Sequence, residues 1–276
     1  MPIESRSVNY PANNIQLNST DGGSVLISPH GSHVLSWMPA VGDERLFLSP
    51  KAEFRAGAAI RGGVPVVFPQ FAGLGVLPKH GFARNIVWEL ARLTGDSAVF
   101  WLSENDATRL VWPHRFLAEY SVRIEKNRLE MALAITNTDI VPFTFTAALH
   151  TYLRVMAVAD TSISGLHGLI YRDSANGDIQ ALETSDRLGF QGELDRIYLD
   201  APSELHLQEP DRELVIAAEG FSDVVIWNPG PEKCAQLVDM EPQGYLQFVC
   251  VEAAAIGQPV ALAPGGSWRG KQSLSV

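Results

Sequence analysis

Cysteine is scarce in this sequence. Only Cys234 and Cys250 occur among 276 residues, and no C-x-x-C pair is present. A disulfide framework requires several cysteines in a short chain, and structural zinc sites require ligand pairs at short spacing. The sequence therefore excludes a disulfide-stapled scaffold, and it contains no spacing that predicts a metal site.

Long apolar runs and an excess of basic residues are also missing. No run approaches the length of a membrane span, and the N-terminus lacks the charged-then-apolar pattern of a signal sequence. The formal charge of -10 disfavours nucleic acid and anionic membrane surfaces as partners. We therefore expect a cytoplasmic protein in which an anionic small molecule is captured only by a local cluster of cations.

Helical periodicity is equally scarce, because most apolar stretches alternate with period two or form short solid runs between turn residues. This pattern predicts one large antiparallel β domain over residues 1–276, without a linker. We expect a monomer because no long amphipathic segment demands a partner. The predicted strands cover residues 24–28, 33–39, 85–93, 97–103, 116–124, 128–136, 143–155, 213–219, 223–228, 246–252 and 268–276. Short helical turns are predicted at 105–114, with Asn105 or Asp106 as cap, and at 235–241.

The segment at residues 60–84, IRGGVPVVFPQFAGLGVLPKHGFAR, has no acidic residue although the whole chain is acidic. The glycine pair after Arg61 lets the backbone approach a ligand closely. Arg61 and Arg84 are suited to grip a dianionic phosphate, and Lys79 adds a point charge. The spacing matches neither a Walker loop nor a dinucleotide fingerprint. A proline-stiffened surface loop with solvated cations explains the same pattern, so the pattern alone leaves both interpretations open.

Two polar residues interrupt otherwise apolar strands. Alternation places His150 on one face with Ala148 and Tyr152, and small alanines leave space for a ligand there. Glu252 closes the run YLQFVCVE, either at the sheet rim or in a pocket. A histidine bonded to a backbone carbonyl and a carboxylate at the rim are the commoner arrangements. Cys250, on the face of Glu252, is interpreted as core filling because nothing beside it in sequence lowers its pKa.

Asp195 and Trp227 are weaker candidates. Asp195 and Arg196 enter a predicted strand as a polar pair, for which a surface ion pair is the default interpretation. Trp227, in VIWNPG, either stacks on a sugar face or packs at a strand end.

These residues lie in motifs that resemble those of the hexose-6-phosphate mutarotases, or glucose-6-phosphate 1-epimerases, a branch of the aldose 1-epimerase superfamily. The motifs follow in order as IRGGVPVVFPQF, LPKHGFARNIVWEL, ALHTYLRV, GELDRIY, VVIWNPG and FVCVE, and with LAPGGSWRGKQSLSV they cover nearly the whole chain. The resemblance implies an all-β supersandwich of the galactose mutarotase type.

The resemblance also implies a cofactor-free isomerase that acts on a small sugar phosphate by opening its ring. By the family pattern His150 is the acid and Glu252, expected to be ionised, is the base. Arg61, Lys79 and Arg84 would bind the 6-phosphate. The further implied substrate contacts are His80, Asp195, Gln70 and Trp227. An aldose 1-epimerase for unphosphorylated sugars and a non-catalytic carbohydrate-binding or sensing module remain the alternatives.

Overall fold

The computed structural model describes residues 13–276, which form 20 strands, two α-helices and four short 3₁₀ turns. The strands are β1 (Ile15–Asn18), β2 (Ser24–Ser28), β3 (His33–Met38), β4 (Val66–Val67), β5 (Glu89–Leu93), β6 (Ser97–Ser103), β7 (Phe116–Glu125), β8 (Arg128–Asn137), β9 (Phe143–Leu149), β10 (Tyr152–Arg154), β11 (Ser162–Ser164), β12 (Ile170–Asp173), β13 (Ile179–Leu182), β14 (Arg187–Gly189), β15 (Leu194–Tyr198), β16 (Glu204–Glu209), β17 (Arg212–Glu219), β18 (Asp223–Asn228), β19 (Phe248–Leu262) and β20 (Ser267–Ser275). The helices are α1 (Asp106–Val111) and α2 (Gly230–Gln236), and the 3₁₀ turns are Ala83–Asn85, Val158–Asp160, Ser174–Asn176 and Gly244–Gln247. Within this described part of the chain, neither helix has the length and apolarity needed to cross a bilayer.

Two large antiparallel sheets dominate the fold. The 8-stranded sheet has the order β13-β12-β15-β18-β19-β9-β4, with β10 also paired to β19, and the 9-stranded sheet has the order β14-β11-β16-β17-β20-β8-β7-β6-β5. A 3-stranded sheet of β1, β2 and β3 completes the architecture. The prediction of an all-β antiparallel sandwich is therefore confirmed.

The main apolar core lies between the two large sheets. Val251 and Ala253 of β19 enter this core, together with Leu133 and Leu274 of the 9-stranded sheet. Because side chains alternate along a strand, the residues between them project from the opposite face of the 8-stranded sheet. That opposite face is the floor on which the polar residues gather.

Several elements differ from the sequence prediction, and three of them bear on the polar residues. The stretch 143–155 is two strands rather than one, because the chain leaves the sheet at His150 and Thr151. The stretch 246–252 covers the end of the 3₁₀ turn Gly244–Gln247 and only the start of β19, so Glu252 lies within a strand and not at its end. The helix predicted at 235–241 is instead α2, because the side chain of Asn228 accepts a hydrogen bond from the Gly230 N–H and Pro231 occupies the first turn.

The segment that carries Arg61 packs its backbone directly against the break between β9 and β10. The His150 N–H donates to Pro65 O at 3.0 Å, and the Tyr152 N–H donates to Gly63 O at 2.9 Å. Gly63 has a φ of 59°, and a Cβ there would lie 2.2 Å from Val34 O and 2.7 Å from His33 Nε2. Glycine is therefore required at position 63, where this backbone passes close to β3.

We predict that Gly63→Ala destabilises the fold much more than Gly57→Ala. Gly57 also has a positive φ, but a Cβ there meets nothing within 4 Å, so its substitution carries only the left-handed backbone cost of about 1–2 kcal/mol. At Gly63 the overlap with Val34 O adds to that cost, and we expect a total above about 3 kcal/mol. Denaturant unfolding of the two variants measures the difference. Equal destabilisation would show that the close approach is not a constraint.

Candidate active site

A cavity of about 410 Å³ opens on the floor of the 8-stranded sheet. It has the size of an ordinary small-molecule site. The segment 60–84, β9 with its break, β15, β18 and β19 all contribute to its wall. The sequence-predicted residues that line it are Arg61, Lys79, His80, Arg84, His150, Asp195, Trp227 and Glu252.

His150 and Glu252 contact each other at the bottom of the cavity, with His150 Nε2 3.2 Å from Glu252 Oε1. Leu149 pairs with Ala253, and Tyr152 pairs with Cys250, so the same register sets His150 opposite Glu252. The two residues are 7% and 1% exposed. His150 Nδ1 and Glu252 Oε2 have no hydrogen-bond partner among the described residues. Such unpaired buried atoms are costly in a core and are typical of a site that awaits a ligand.

The environment moves the pKa values of this pair toward the uncharged forms. Burial lowers the pKa of His150 well below its usual range, and His80, Arg84 and Arg61 lower it further. Burial raises the pKa of Glu252 well above its usual range, with Asp195 adding to the effect and Arg84 opposing it. Both shifts oppose the charged forms, so they oppose the expectation that Glu252 is ionised and favour a neutral imidazole beside a neutral carboxyl group.

Arg84 is a cation without a carboxylate partner among the described residues. Its Nη2 donates to Lys79 O at 3.3 Å, while its buried Nε has no acceptor. Burial lowers the pKa of Arg84 below its usual range, so the site holds a positive charge in a partly desolvated place. A buried guanidinium without a counter-ion is suited to an anionic ligand.

Arg61 is held more tightly than Arg84. Its Nε donates to Asp239 Oδ1 at 3.1 Å, and its Nη1 donates to the Tyr152 hydroxyl at 3.2 Å. The Tyr152 ring in turn stacks on the His150 ring, with centroids 4.9 Å apart and an interplanar angle of 11°. Arg61 therefore supports the ring of His150 as well as lining the cavity.

His80 presents a defined tautomer toward the cavity. Its Nδ1 accepts a hydrogen bond from the Ala72 N–H at 3.3 Å. Burial, with smaller contributions from Arg84 and Lys79, lowers its pKa to about 3. The neutral ring therefore carries its proton on Nε2 and is a hydrogen-bond donor. His80 has a φ of 65°, an uncommon conformation for a residue other than glycine.

The remaining predicted residues divide into two groups. Asp195 and Trp227 line the cavity, and burial raises the pKa of Asp195 to about 6. Arg196 does not pair with Asp195; it binds Glu183 at 2.8 Å. Gln70 does not line the cavity, which corrects that expectation. Its side-chain amide instead stabilises the segment 60–84 internally, because it accepts a hydrogen bond from the Leu77 N–H and donates one to Leu77 O.

Several residues of the cavity wall were not predicted from the sequence, and two of them are cations. Lys233 lines the wall because NPGPEK, which reads as a turn, forms α2. Arg172 lines it from β12, a strand that no clear alternation marks. Tyr152 was placed on the correct face, but its stacking on His150 has no signal in the sequence.

Among residues 13–276, one group of side chains has the donor types of a metal site. His150, Cys250 and Glu252 place ligand atoms within 4.8 Å of one another. Burial raises the pKa of Cys250 well above its usual range, which disfavours the thiolate that a metal needs. The group is therefore better suited to proton transfer than to holding an ion.

Similarity to known proteins extends over nearly all of the described chain. The family described as Aldose 1-epimerase matches residues 13–275. A protein of Cenchrus ciliaris named "Putative glucose-6-phosphate 1-epimerase" is 36% identical over 262 residues, which cover 89% of this chain and 79% of that protein. An Escherichia coli K12 protein of the same name is 38% identical over 232 residues, covering 81% and 77%.

A solved structure shows the same fold. The crystal structure described as "a putative mutarotase (YeaD) from Salmonella typhimurium" superposes with a TM-score of 0.87 and 30% identity. The match covers 95% of this chain and 89% of that chain. The fold is therefore the β-supersandwich of the galactose mutarotase type.

We predict that Arg84→Gln raises the pKa of His150, because the substitution removes a positive charge that opposes protonation of the ring. The control is Lys233→Gln, which also removes one positive charge from the cavity wall. Lys233 is not among the groups that shift the pKa of His150. NMR titration of the His150 ring signals measures both variants. The expected order is Arg84→Gln above wild type, with Lys233→Gln equal to wild type. An unchanged or lower midpoint in Arg84→Gln would contradict the electrostatic description of the site.

Proposed function

The chain belongs to the aldose 1-epimerase family, and we propose that it is a cofactor-independent mutarotase for glucose 6-phosphate or a related hexose 6-phosphate. The single observation that carries the phosphate specificity is Arg84, a half-buried cation beside the acid–base pair without a carboxylate partner in the described chain. The names of the plant and E. coli relatives agree with this substrate class.

The reaction requires one acid and one base on either side of the O5–C1–O1 unit of the sugar. Glu252 removes the proton of the anomeric O1 hydroxyl while His150 donates a proton to the ring oxygen O5, and the C1–O5 bond breaks. The open-chain aldehyde rotates about C1–C2 and recloses, with His150 taking the proton back from O5 and Glu252 returning one to O1. Neither residue is changed after a cycle. Each group contributes typically about 100- to 10,000-fold.

A bound phosphate changes the electrostatics of the pair. Arg84 and Arg61 are among the charges that keep the pKa of His150 low, and Arg84 also opposes the rise in the pKa of Glu252. A phosphate, with about 1.5 to 2 negative charges, offsets these cations and therefore favours the protonated form of both groups. The reaction uses the form in which His150 is protonated and Glu252 is ionised, and one proton transfer across their 3.2 Å contact produces it.

The other cavity residues have supporting roles. Lys79, at the exposed rim, adds a third positive charge beside Arg61 and Arg84. The neutral His80 donates from Nε2 to a ring hydroxyl or O5, and Asp195 accepts hydrogen bonds from sugar hydroxyls. Trp227 forms part of the wall beside His150, with ring centroids 5.8 Å apart.

A mutarotase for unphosphorylated sugars is the second candidate. The observation that favours it is the engagement of Arg61 by Asp239 and Tyr152, since a cation paired in this way serves the structure without a phosphate. Arg84 has no comparable pairing, which is why we prefer the phosphorylated substrate.

The test is the rate of anomer exchange, measured by NMR magnetisation exchange with catalytic amounts of protein. We expect wild type to accelerate exchange of glucose 6-phosphate far more than of glucose or galactose. Arg84→Ala should raise KM for glucose 6-phosphate, because the substitution removes a phosphate contact, and should leave KM for free glucose nearly unchanged. His150→Ala and Glu252→Gln should lose at least about 100-fold in kcat for every sugar.

Each arm has an outcome that contradicts it. If Arg84→Ala raised KM equally for glucose 6-phosphate and for free glucose, Arg84 would have no phosphate role and the second candidate would be favoured. Full activity of folded His150→Ala or Glu252→Gln would overturn the assignment of acid and base. Sugar binding by wild type without acceleration of any anomer exchange would leave a carbohydrate-binding module.

A further inference from the structure

The backbone ladder beneath the acid–base pair has a gap. Thr151 of the break and Val251 of β19 face each other in the register that sets His150 opposite Glu252. The Val251 N–H donates to Thr151 O at 3.1 Å, as an antiparallel pair requires. The reciprocal bond is missing, because the Thr151 N–H donates to Leu149 O at 3.0 Å in a tight turn centred on His150. Val251 O is thereby deprived of its ladder donor.

A side chain from the opposite sheet occupies this gap. Gln272 of β20 donates from Nε2 to Val251 O at 3.0 Å and accepts at Oε1 from the Thr151 hydroxyl at 2.5 Å. Gln272 is 1% exposed, and Thr151 and Val251 are fully buried. A carboxamide has the same donor and acceptor as a peptide group. Gln272 therefore replaces the missing ladder bond with its own amide.

The position of this amide relates it to catalysis. Thr151 directly follows His150, and Val251 directly precedes Glu252. Because side chains alternate, Thr151 and Val251 face the core while His150 and Glu252 face the cavity. The hydrogen bonds of Gln272 consequently connect Thr151 with Val251 on the core side of the sheet. These two residues are the chain neighbours of the proposed acid and base.

We propose that Gln272 is a positioning residue that sets the spacing of His150 and Glu252 through Thr151 and Val251. This inference rests on the acid and base roles proposed above. The turn at His150 directs the imidazole ring toward Glu252. The same turn removes the hydrogen bond from the Thr151 N–H to Val251 O, next to the two residues whose separation must stay constant. Gln272 restores the connection without closing the turn. An apolar residue at this position would leave Val251 O buried and unsatisfied, and the Thr151 hydroxyl would keep only its 3.4 Å contact with Leu149 O.

The first test is Gln272→Met, which keeps the length of the side chain and removes both hydrogen bonds. We expect kcat for glucose 6-phosphate to fall about 10- to 100-fold, because small displacements of reacting groups have effects of this size. KM should change little, because the phosphate contacts lie on the segment 60–84. The matched control is Leu274→Val, on the same face of β20 and equally buried. It removes core volume without touching the ladder, and its kcat should equal that of wild type.

A second pair of variants keeps the test valid if Gln272→Met fails to fold. Thr151→Val removes the hydroxyl that donates to Gln272, and Thr151→Ser retains it. We expect Thr151→Val to lose kcat at unchanged KM and Thr151→Ser to recover most of it. The ¹⁵N spectrum of the His150 ring should change in Gln272→Met and in Thr151→Val, but not in Leu274→Val, because only the first two alter the contact with Glu252.

The outcomes separate this inference from the proposed function. Wild-type protein without any acceleration of anomer exchange contradicts the proposed function. Active wild type together with wild-type kcat in Gln272→Met or Thr151→Val overturns the positioning role. A kcat loss in Leu274→Val as large as that in Gln272→Met overturns it as well, because loss of core packing then explains both.

Discussion

The contact between His150 and Glu252 is the constraint on which the rest of the structure depends. Their separation of 3.2 Å comes from the register of β19 against β9 and β10. The sheet that these strands form is buried on one face by the main core. An imidazole and a carboxyl group in this place have lost most of their hydration. Burial therefore drives both pKa values toward the neutral forms, and small changes in nearby charge decide where the shared proton resides.

The segment 60–84 serves this pair in two ways. Its backbone carbonyls at Gly63 and Pro65 accept hydrogen bonds from Tyr152 and His150, which fixes the turn that aims the imidazole. Its cations surround the same turn and couple the charge of a ligand to the proton of the pair. This joint role explains why so acidic a chain, with a formal charge of -10, keeps the segment free of aspartate and glutamate. A carboxylate here would neutralise Arg84 and remove the coupling.

Much of the fold could be predicted from the sequence, because period-two alternation reports directly on strands with one buried face. The strands at Ser24–Ser28, Ser97–Ser103 and Asp223–Asn228 have the predicted bounds. The helix α1 is confirmed with Asn105 as its cap. The strands between residues 158 and 209 were missed except around Asp195, because they are short and lie near sheet edges where burial is incomplete. The position of α2 depends on the Asn228 side chain, a tertiary contact that no periodicity encodes.

The residues of the candidate site could be predicted from the sequence, but their contacts and pKa shifts could not. His150, Glu252 and the cations could be selected from motifs, and the cavity contains all of them. The unpaired guanidinium of Arg84 and the stacking of Tyr152 on His150 depend on distances across the fold. The raised pKa of Glu252 depends on burial by several elements of the fold, which the sequence of one strand does not report. Gln272 has no local signal, because its partners lie in the opposite sheet.

The most direct test of this account is the crystal structure of the protein with glucose 6-phosphate, a substrate that survives because the reaction only exchanges its anomers. The account predicts phosphate oxygens within hydrogen-bond distance of Arg84, with O1 beside Glu252 and O5 beside His150. A sugar bound with C1 away from this pair, or a phosphate held by Arg172 and Lys233 instead of Arg84, would contradict it.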